Sequence, residues 1–311
     1  MQDQKILLTG GSGFLGKNVK KQLIVAGISP ENIYSPSHQE VDFTDVSQIA
    51  KSLQGIDTVI HLAAKVGGIG FNREKPGELF YDNIIMGTHL MEESRKAGIK
   101  KFVAIGTVCA YPKFTPVPFK ESDLWIGYPE ETNAPYGLAK KMLLVQAQAY
   151  RQQYGFNAIY LLPVNLYGPG DNFDPSSSHV IPALIKKSIE AKEKGSSTMD
   201  VWGTGSASRE FLYVEDAAKA IVMATERYNG SDPVNLGSGM EITIKELVET
   251  INEIVGYTGK VVWDSSKPDG QPRRCLDTSK AEKEFGFKAS TDFETGLKNT
   301  IEWYRDKKTK S

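Results

Sequence analysis

Cysteine is scarce in this 311-residue chain, which has only Cys109 and Cys275. Two thiols cannot make a disulfide framework, so a reducing compartment is expected. An excess of charge of either sign is also missing. The 37 basic side chains stand against 38 acidic ones, for a net charge of -1, which offers no electrostatic footprint for nucleic acid or an anionic membrane. No apolar run approaches the ~18 residues of a bilayer span. The opening Met1-Gln2-Asp3-Gln4-Lys5 lacks the basic-then-apolar pattern of a secretory signal. The sequence likewise shows no internal repeat, low-complexity tract or set of metal ligands. Together these absences lead to the expectation of a cytoplasmic protein that acts on a small molecule. The tail lysines Lys307, Lys308 and Lys310 are expected to form a solvated, frayed terminus.

The apolar residues that are present fall in short runs. A buried strand is expected at 5–9, with glycines after it and then a helical pattern through Phe14, Val19, Leu23 and Ile24. Further runs at Asn32–Tyr34, Thr58–Leu62, Lys101–Ile105 and Ala158–Leu162 alternate with helical segments, including Val46–Leu53. Long helices are expected at 79–97, with Phe80, Ile84, Leu90 and Met91 on the apolar side, and from Pro135 to Tyr154. This alternation predicts an α/β fold, a Rossmann-type doubly wound parallel sheet with a smaller C-terminal α/β substrate lobe. The dinucleotide domain is expected to span 1–166, with a return near 212–237 through Val234-Asn235-Leu236. The substrate lobe is expected to take 167–211 and 238–311. Within 163–211 the turn clusters Tyr167-Gly168-Pro169-Gly170-Asp171 and Asp174-Pro175-Ser176-Ser177-Ser178 leave one helix, near 180–194.

The string Thr9-Gly10-Gly11-Ser12-Gly13-Phe14-Leu15-Gly16 follows the first strand and opens a helix. A pyrophosphate needs close backbone approach, free N–H groups and the positive end of a helix dipole, and glycines there allow all three. Candidate cofactor contacts are therefore Gly10, Gly13, Phe14, Leu15 and Gly16. Leu62, Ala63 and Ala64 join them after the third strand, as does Pro163 at the end of the fifth run. An acid after the second strand would favour NAD, and an arginine would favour NADP. The sequence has Tyr34-Ser35-Pro36-Ser37-His38 there, with Asp42 and Asp45 a little later. Either aspartate could frame the adenine or cap the next helix.

Tyr136 and Lys140 stand four apart at a helix start, so both share one face. A lysine near a phenol favours the phenolate and brings the group toward a proton-transfer range. Tyr304 and Lys308 have the same spacing, so context decides: Tyr136 follows a strand that ends near Thr107, whose hydroxyl can join a site.

These residues resemble the extended short-chain dehydrogenase/reductases that act on nucleotide sugars, and the resemblance spans nearly the whole chain. It is strongest to the branch with 3,5-epimerase/4-reductase activity on GDP-4-keto-6-deoxy-D-mannose. The strings that carry it are Ala64–Ile69, Cys109-Ala110-Tyr111-Pro112-Lys113, Glu131–Tyr136, Asn165-Leu166-Tyr167-Gly168-Pro169, Asp171-Asn172-Phe173 and Ser178-His179-Val180-Ile181-Pro182. The resemblance implies that Cys109 and His179 are the epimerising acid and base, that Tyr136 and Lys140 serve the reduction, and that Thr107 stands where serine is usual. It also implies that a GDP-sugar meets Lys187, Trp202 and Arg209, with Asn165 and the Asp269–Arg274 segment, Asp269 and Arg273 in particular, nearby. Read alone, Lys187 is equally a solvated helix face, Trp202 a core residue and Arg209 a partner of Glu210 or Glu215. The implied cofactor is NADP(H). Ser12 and Pro36 occupy places where relatives carry arginine, which keeps NAD(H) open. The resemblance further implies a homodimer through the helices near 79–97 and 136–154. Other nucleotide-sugar 4-reductases, 4-epimerases and 4,6-dehydratases are the competing activities. Val108-Cys109 stands where a dehydratase carries an Asp-Glu pair.

Overall fold

The computed structural model describes residues 3–67, 69–175, 177–267 and 269–309. Gly68 of the Ala64–Ile69 string, Ser176 of the second turn cluster and Lys310 of the tail lie outside the described residues.

The first body is a parallel sheet made of β1 (Ile6–Thr9), β2 (Ile33–Tyr34), β3 (Thr58–His61), β4 (Lys101–Ile105) and β5 (Ala158–Pro163), closed by a late strand at Val234–Leu236. The spatial order is β2-β1-β3-β4-β5 and then that late strand. The chain leaves β1 toward β2 on one side and returns to β3 on the other. A crevice therefore opens at the carboxyl end of β1, the place where such sheets bind ligands. Strands β1, β3, β4 and β5 are buried along their whole length, as expected when helices cover both faces. Those helices are α1 (Phe14–Val25), α2 (Val46–Ser52), α3 (Ile69–Glu74), α4 (Pro76–Lys96) and α5 (Ala134–Tyr154).

α4 and α5 pack closely because Gly87 leaves room for Leu143, whose Cδ2 would lie 2.5 Å from a Cβ at that position. The buried stripe of α4 is Leu79, Asn83, Gly87, Leu90, Met91 and Ser94. Phe80, expected on this face, is instead 41% exposed. The small residue that decides the stripe, Gly87, does not register in a count of apolar positions.

Past β5 the structure departs further from expectation. Over 163–211 the sequence pattern predicts one helix among turns, but the structure has β6 (Asn165–Tyr167), β7 (Thr198–Trp202) and the start of β8 (Ser208–Tyr213) there. β6 has only three residues. β7 alternates, with Met199 and Val201 buried between exposed neighbours, a period-two signal that the polar Thr198 and Asp200 obscure. α6 (Val180–Glu193) precedes β7, and α7 (Val214–Arg227) leads from β8 to the late strand of the parallel sheet, β9 (Val234–Leu236). The remaining elements are β10 (Glu241–Thr243), α8 (Ile244–Val255), β11 (Lys260–Asp264), α9 (Ser279–Phe285) and α10 (Phe293–Thr309). β8 pairs with β6 in parallel and with β10 in antiparallel, and β11 pairs with β7. A second core forms here, around Tyr167, Ile185, Phe211, Leu247, Ile251, Leu297 and Ile301. The described part of the lysine-rich tail is helical, not frayed. Lys308 pairs with Glu193, and the Lys307 ammonium lies 5.2 Å from the centre of the Trp303 ring.

The two bodies are joined at Glu210 on β8, a fully buried carboxylate. One of its oxygens accepts from the Gly239 amide at 2.7 Å and the Ser238 hydroxyl at 3.4 Å, and the other from the Leu276 amide at 2.6 Å. Burial raises its pKa while these donors oppose the shift. Residues 275–277 run beside Phe119 with two backbone hydrogen bonds, so Glu210 fixes the stretch just before them as well. Glu210→Ala strands the buried Leu276 amide and releases the Gly239 amide, and should cost on the order of 2 kcal/mol. Urea unfolding at neutral pH should show the loss.

Candidate active site

The glycine loop leaves β1 in a tight arc. Gly10 has φ +69°, and a Cβ there would lie 2.9 Å from the Ala63 nitrogen. A Cβ on Gly16 would come within 2.1 Å of the Gly10 carbonyl oxygen, so both positions require glycine. Gly13 caps α1 without a side-chain hydrogen bond, which leaves first-turn amides available to an anion. Next to the loop, the Ala63 amide donates to the Thr9 hydroxyl at 3.1 Å. That hydroxyl lies 2.9 Å from Nδ1 of the buried His61. The loop, Leu62, Ala63 and Ala64 thus form one backbone-lined cradle that fits a dinucleotide pyrophosphate. Asp45 is a helix cap, accepting from the Ser47 and Gln48 amides. Asp42 accepts from the amide and hydroxyl of Thr44.

Thr107, Cys109 and Tyr136 are brought together by the packing of α5 on the turn after β4. A Cβ at Gly137 would lie 2.3 Å from the Cys109 carbonyl oxygen, so only glycine lets the helix start come this close. The Thr107 hydroxyl accepts from the Cys109 amide at 3.2 Å. One turn further along α5, the Lys140 carbonyl is anchored by the Tyr160 hydroxyl at 2.9 Å. A Cβ at Gly106 would collide with that same hydroxyl. Burial pushes Lys140 down to about 8. It raises the Tyr136 phenol well above its ordinary value, with Cys109 adding to the rise and the Thr107 hydrogen bond opposing it. The expected lowering of the phenol by Lys140 is therefore reversed in this structure. Desolvation of the phenolate is the largest cause of the rise, and it favours Tyr136 as a proton donor.

His179 is the residue before α6. Much of it meets solvent, yet the surrounding protein disfavours its cation and lowers its pKa. Its loop is held by Phe173, stacked on Tyr304 at 4.1 Å between ring centres. Burial of a carboxyl in the same loop pushes Asp171 up to about 7. Farther along the cleft Trp202 is 65% exposed, with the Lys187 ammonium 5.7 Å from its ring centre. Lys187 also donates to the Asp200 carbonyl. The Asp269 carboxylate ties down Thr204 beside Trp202. Arg209 is partnered by the carbonyls of Ser208, Asp269 and Gln271 and not by Glu210 or Glu215, and burial with the nearby Arg274 pulls its pKa down to about 10. Asn165 donates to the Glu210 carbonyl at 3.0 Å.

The adjacent arginines of the C-terminal segment part company. Arg273 turns out to the surface and pairs with Glu241. Arg274, which the sequence pattern does not single out, turns inward and is only 7% exposed. Its Nη1 lies 3.9 Å from the Cys109 sulfur and 3.5 Å from Asn165 Oδ1. An extended stretch sends neighbouring side chains to opposite faces, so one of the two had to point in. The signal is present in Arg273-Arg274, without the means to choose between them.

Comparison with known proteins adds three kinds of likeness. The model of the NAD dependent epimerase/dehydratase family matches residues 6–237. The probable GDP-L-fucose synthase 1 of Oryza sativa subsp. japonica is 42% identical over 303 residues, covering 96% of this chain and 92% of the rice protein. The GDP-L-fucose synthase of Escherichia coli (strain K12) is 35% identical over 315 residues, covering 98% and 97%. A crystal structure of a GDP-L-fucose synthetase from Naegleria fowleri bound to NADP superposes with a TM-score of 0.87 at 28% identity, covering all of this chain and 97% of that one. The parallel sheet, the glycine loop and the tyrosine–lysine helix all fall inside the matched region, and the chain belongs to the NAD dependent epimerase/dehydratase family.

Proposed function

We propose that this protein converts GDP-4-keto-6-deoxy-D-mannose to GDP-L-fucose by 3,5-epimerisation followed by 4-reduction. The observation that carries this reading is the meeting of Cys109, Thr107 and Tyr136 at the start of α5. The 35–42% identity to the rice and E. coli proteins supports it. A C4 ketone acidifies the protons on C3 and C5. In this reading Cys109 and His179 work from opposite ring faces: one removes a carbon-bound proton, leaving an enolate, and the other returns a proton to the opposite side. The Gly10–Gly16 loop would hold NADPH, which would supply a hydride for C4, and NADH is the alternative because Ser12 and the 35–38 turn bring no arginine. Tyr136, kept protonated by burial, gives its proton to the C4 oxygen, and the Thr107 hydroxyl hydrogen-bonds that oxygen. Lys140 supplies positive charge at the cofactor end.

In this reading Lys187 and Arg209 meet the nucleotide diphosphate as cations, and Trp202 offers it a flat apolar face. Asn165 and Asp269 shape the cleft beside them. The exposed Phe80 and Tyr81 of α4 and Val145 of α5 support a homodimer through these helices. The two unbridged cysteines fit a cytoplasmic setting.

Turnover in heavy water tests the reading. Deuterium should appear at C3 and C5, and reduction without it would leave a simple 4-reductase. Tyr136→Phe should keep the exchange while losing about 100-fold or more in reduction. The pH profile gives a separate check. Lys140 loses its charge as pH rises through about 8, so the rate of reduction should fall across that range. Lys140→Arg, which stays charged, should show no such fall in its residual rate.

A further inference from the structure

We propose that Arg274 is the counter-cation of Cys109: its guanidinium stabilises the sulfur as the anion that abstracts a proton from the sugar. The proposal rests on the epimerase reading above and names a residue that positions and charges its base. Arg274 is nearly fully buried, and its hydrogen-bond partners are all neutral. Nε and Nη2 both donate to Gln271 Oε1, at 3.1 and 3.0 Å, while Nη1 faces Asn165 Oδ1 and the Cys109 sulfur. Among the described residues no carboxylate forms an ion pair with it. A buried cation without an anion is costly, and among the described residues Cys109 is the hydrogen-bond partner of Arg274 that can become an anion.

The surroundings are built to hold this contact. Gln271 donates in turn to the carbonyls of Pro112 and Lys113, on the segment that follows Cys109. The next residues of the C-terminal segment are clamped by Phe119 and Glu210. The guanidinium thus reaches the sulfur from the second body while being braced against the first. Arg209 lies close enough to feel both Arg274 and Cys109, which makes this end of the cleft cationic. Tyr136 is the other titratable group that feels Cys109.

The second cysteine supplies an internal contrast. Cys275 faces the carboxylates of Glu210 and Glu241, and burial with those charges pushes its thiol up to about 12. Cys109 therefore meets a guanidinium, whereas around Cys275 the carboxylates outweigh the Arg273 guanidinium.

In the chemistry proposed, the thiolate accepts a proton from C3 or C5 and becomes a thiol, and the C–H electron pair passes into the enolate. The thiol returns its proton to solvent before the next turnover. Iodoacetamide labelling of the full-length protein without sugar, read by mass spectrometry at each cysteine, tests the pairing directly. Cys109 should react faster than Cys275. Arg274→Gln should slow labelling of Cys109 about 10-fold, and Arg274→Lys should restore part of it. Cys275 should not change in either variant. Wild-type protein should also show a thiolate absorbance in the ultraviolet that Cys109→Ser removes, a measurement that does not depend on any Arg274 variant folding. An Arg274→Gln protein that melts normally and labels Cys109 at the wild-type rate would overturn the proposal, as would the absence of that absorbance. An increased KM for the GDP-sugar with Cys109 labelling unchanged would make Arg274 a diphosphate ligand only. Labelling needs no sugar, so loss of deuterium exchange in the wild type would count against the epimerase reading and not against the pairing.

Discussion

A single buried carboxylate makes the cleft possible. Glu210 gathers the amides of Gly239 and Leu276 and the Ser238 hydroxyl. In doing so it locks the C-terminal segment beside β8 and Phe119. Glu210's neighbour on β8 is Arg209, and the clamped segment presents Arg274. Both cations therefore owe their places to the same anchor. Removing a charge from water is expensive, and here the hydrogen bonds from Gly239, Ser238 and Leu276 offset the cost.

The remaining geometry follows from close approach. Gly137 lets α5 rest on the Cys109 backbone, Gly106 admits the Tyr160 hydroxyl that fixes Lys140, and Gly16 folds the phosphate loop against Gly10. Each is a place where a methyl group would push apart two parts of the site. Desolvation then sets the proton inventory. It keeps Tyr136 protonated, weakens Lys140's hold on its proton and disfavours the His179 cation. A protonated phenol beside a hydroxyl suits delivery of a proton to an alkoxide, which is the reductive direction of the chemistry.

Much of this arrangement is legible in the order of the residues. The runs around β1, β3, β4 and β5, the glycine loop and the spacing of Tyr136 and Lys140 are local patterns, and local patterns survive folding. Less legible are features that depend on a partner far along the chain. Phe80 faces out because Gly87 and Leu143 set the α4–α5 contact. The tail is a helix because Lys308 and Trp303 find partners along α10 and α6. β6 to β8 are short, and their pairing with one another and with β10 and β11 is what makes them strands.

By itself the sequence determined the parallel sheet and the glycine loop, because strand burial and glycine act over a few residues, whereas Cys109 and His179 became candidates only through a family resemblance. Only the tertiary structure decided which arginine faces Cys109 and that the phenol is raised and not lowered. Those outcomes turn on burial and on contacts between distant segments, such as Cys109 and Arg274, which stand 165 residues apart. No local pattern encodes the side of a strand that will meet the other body.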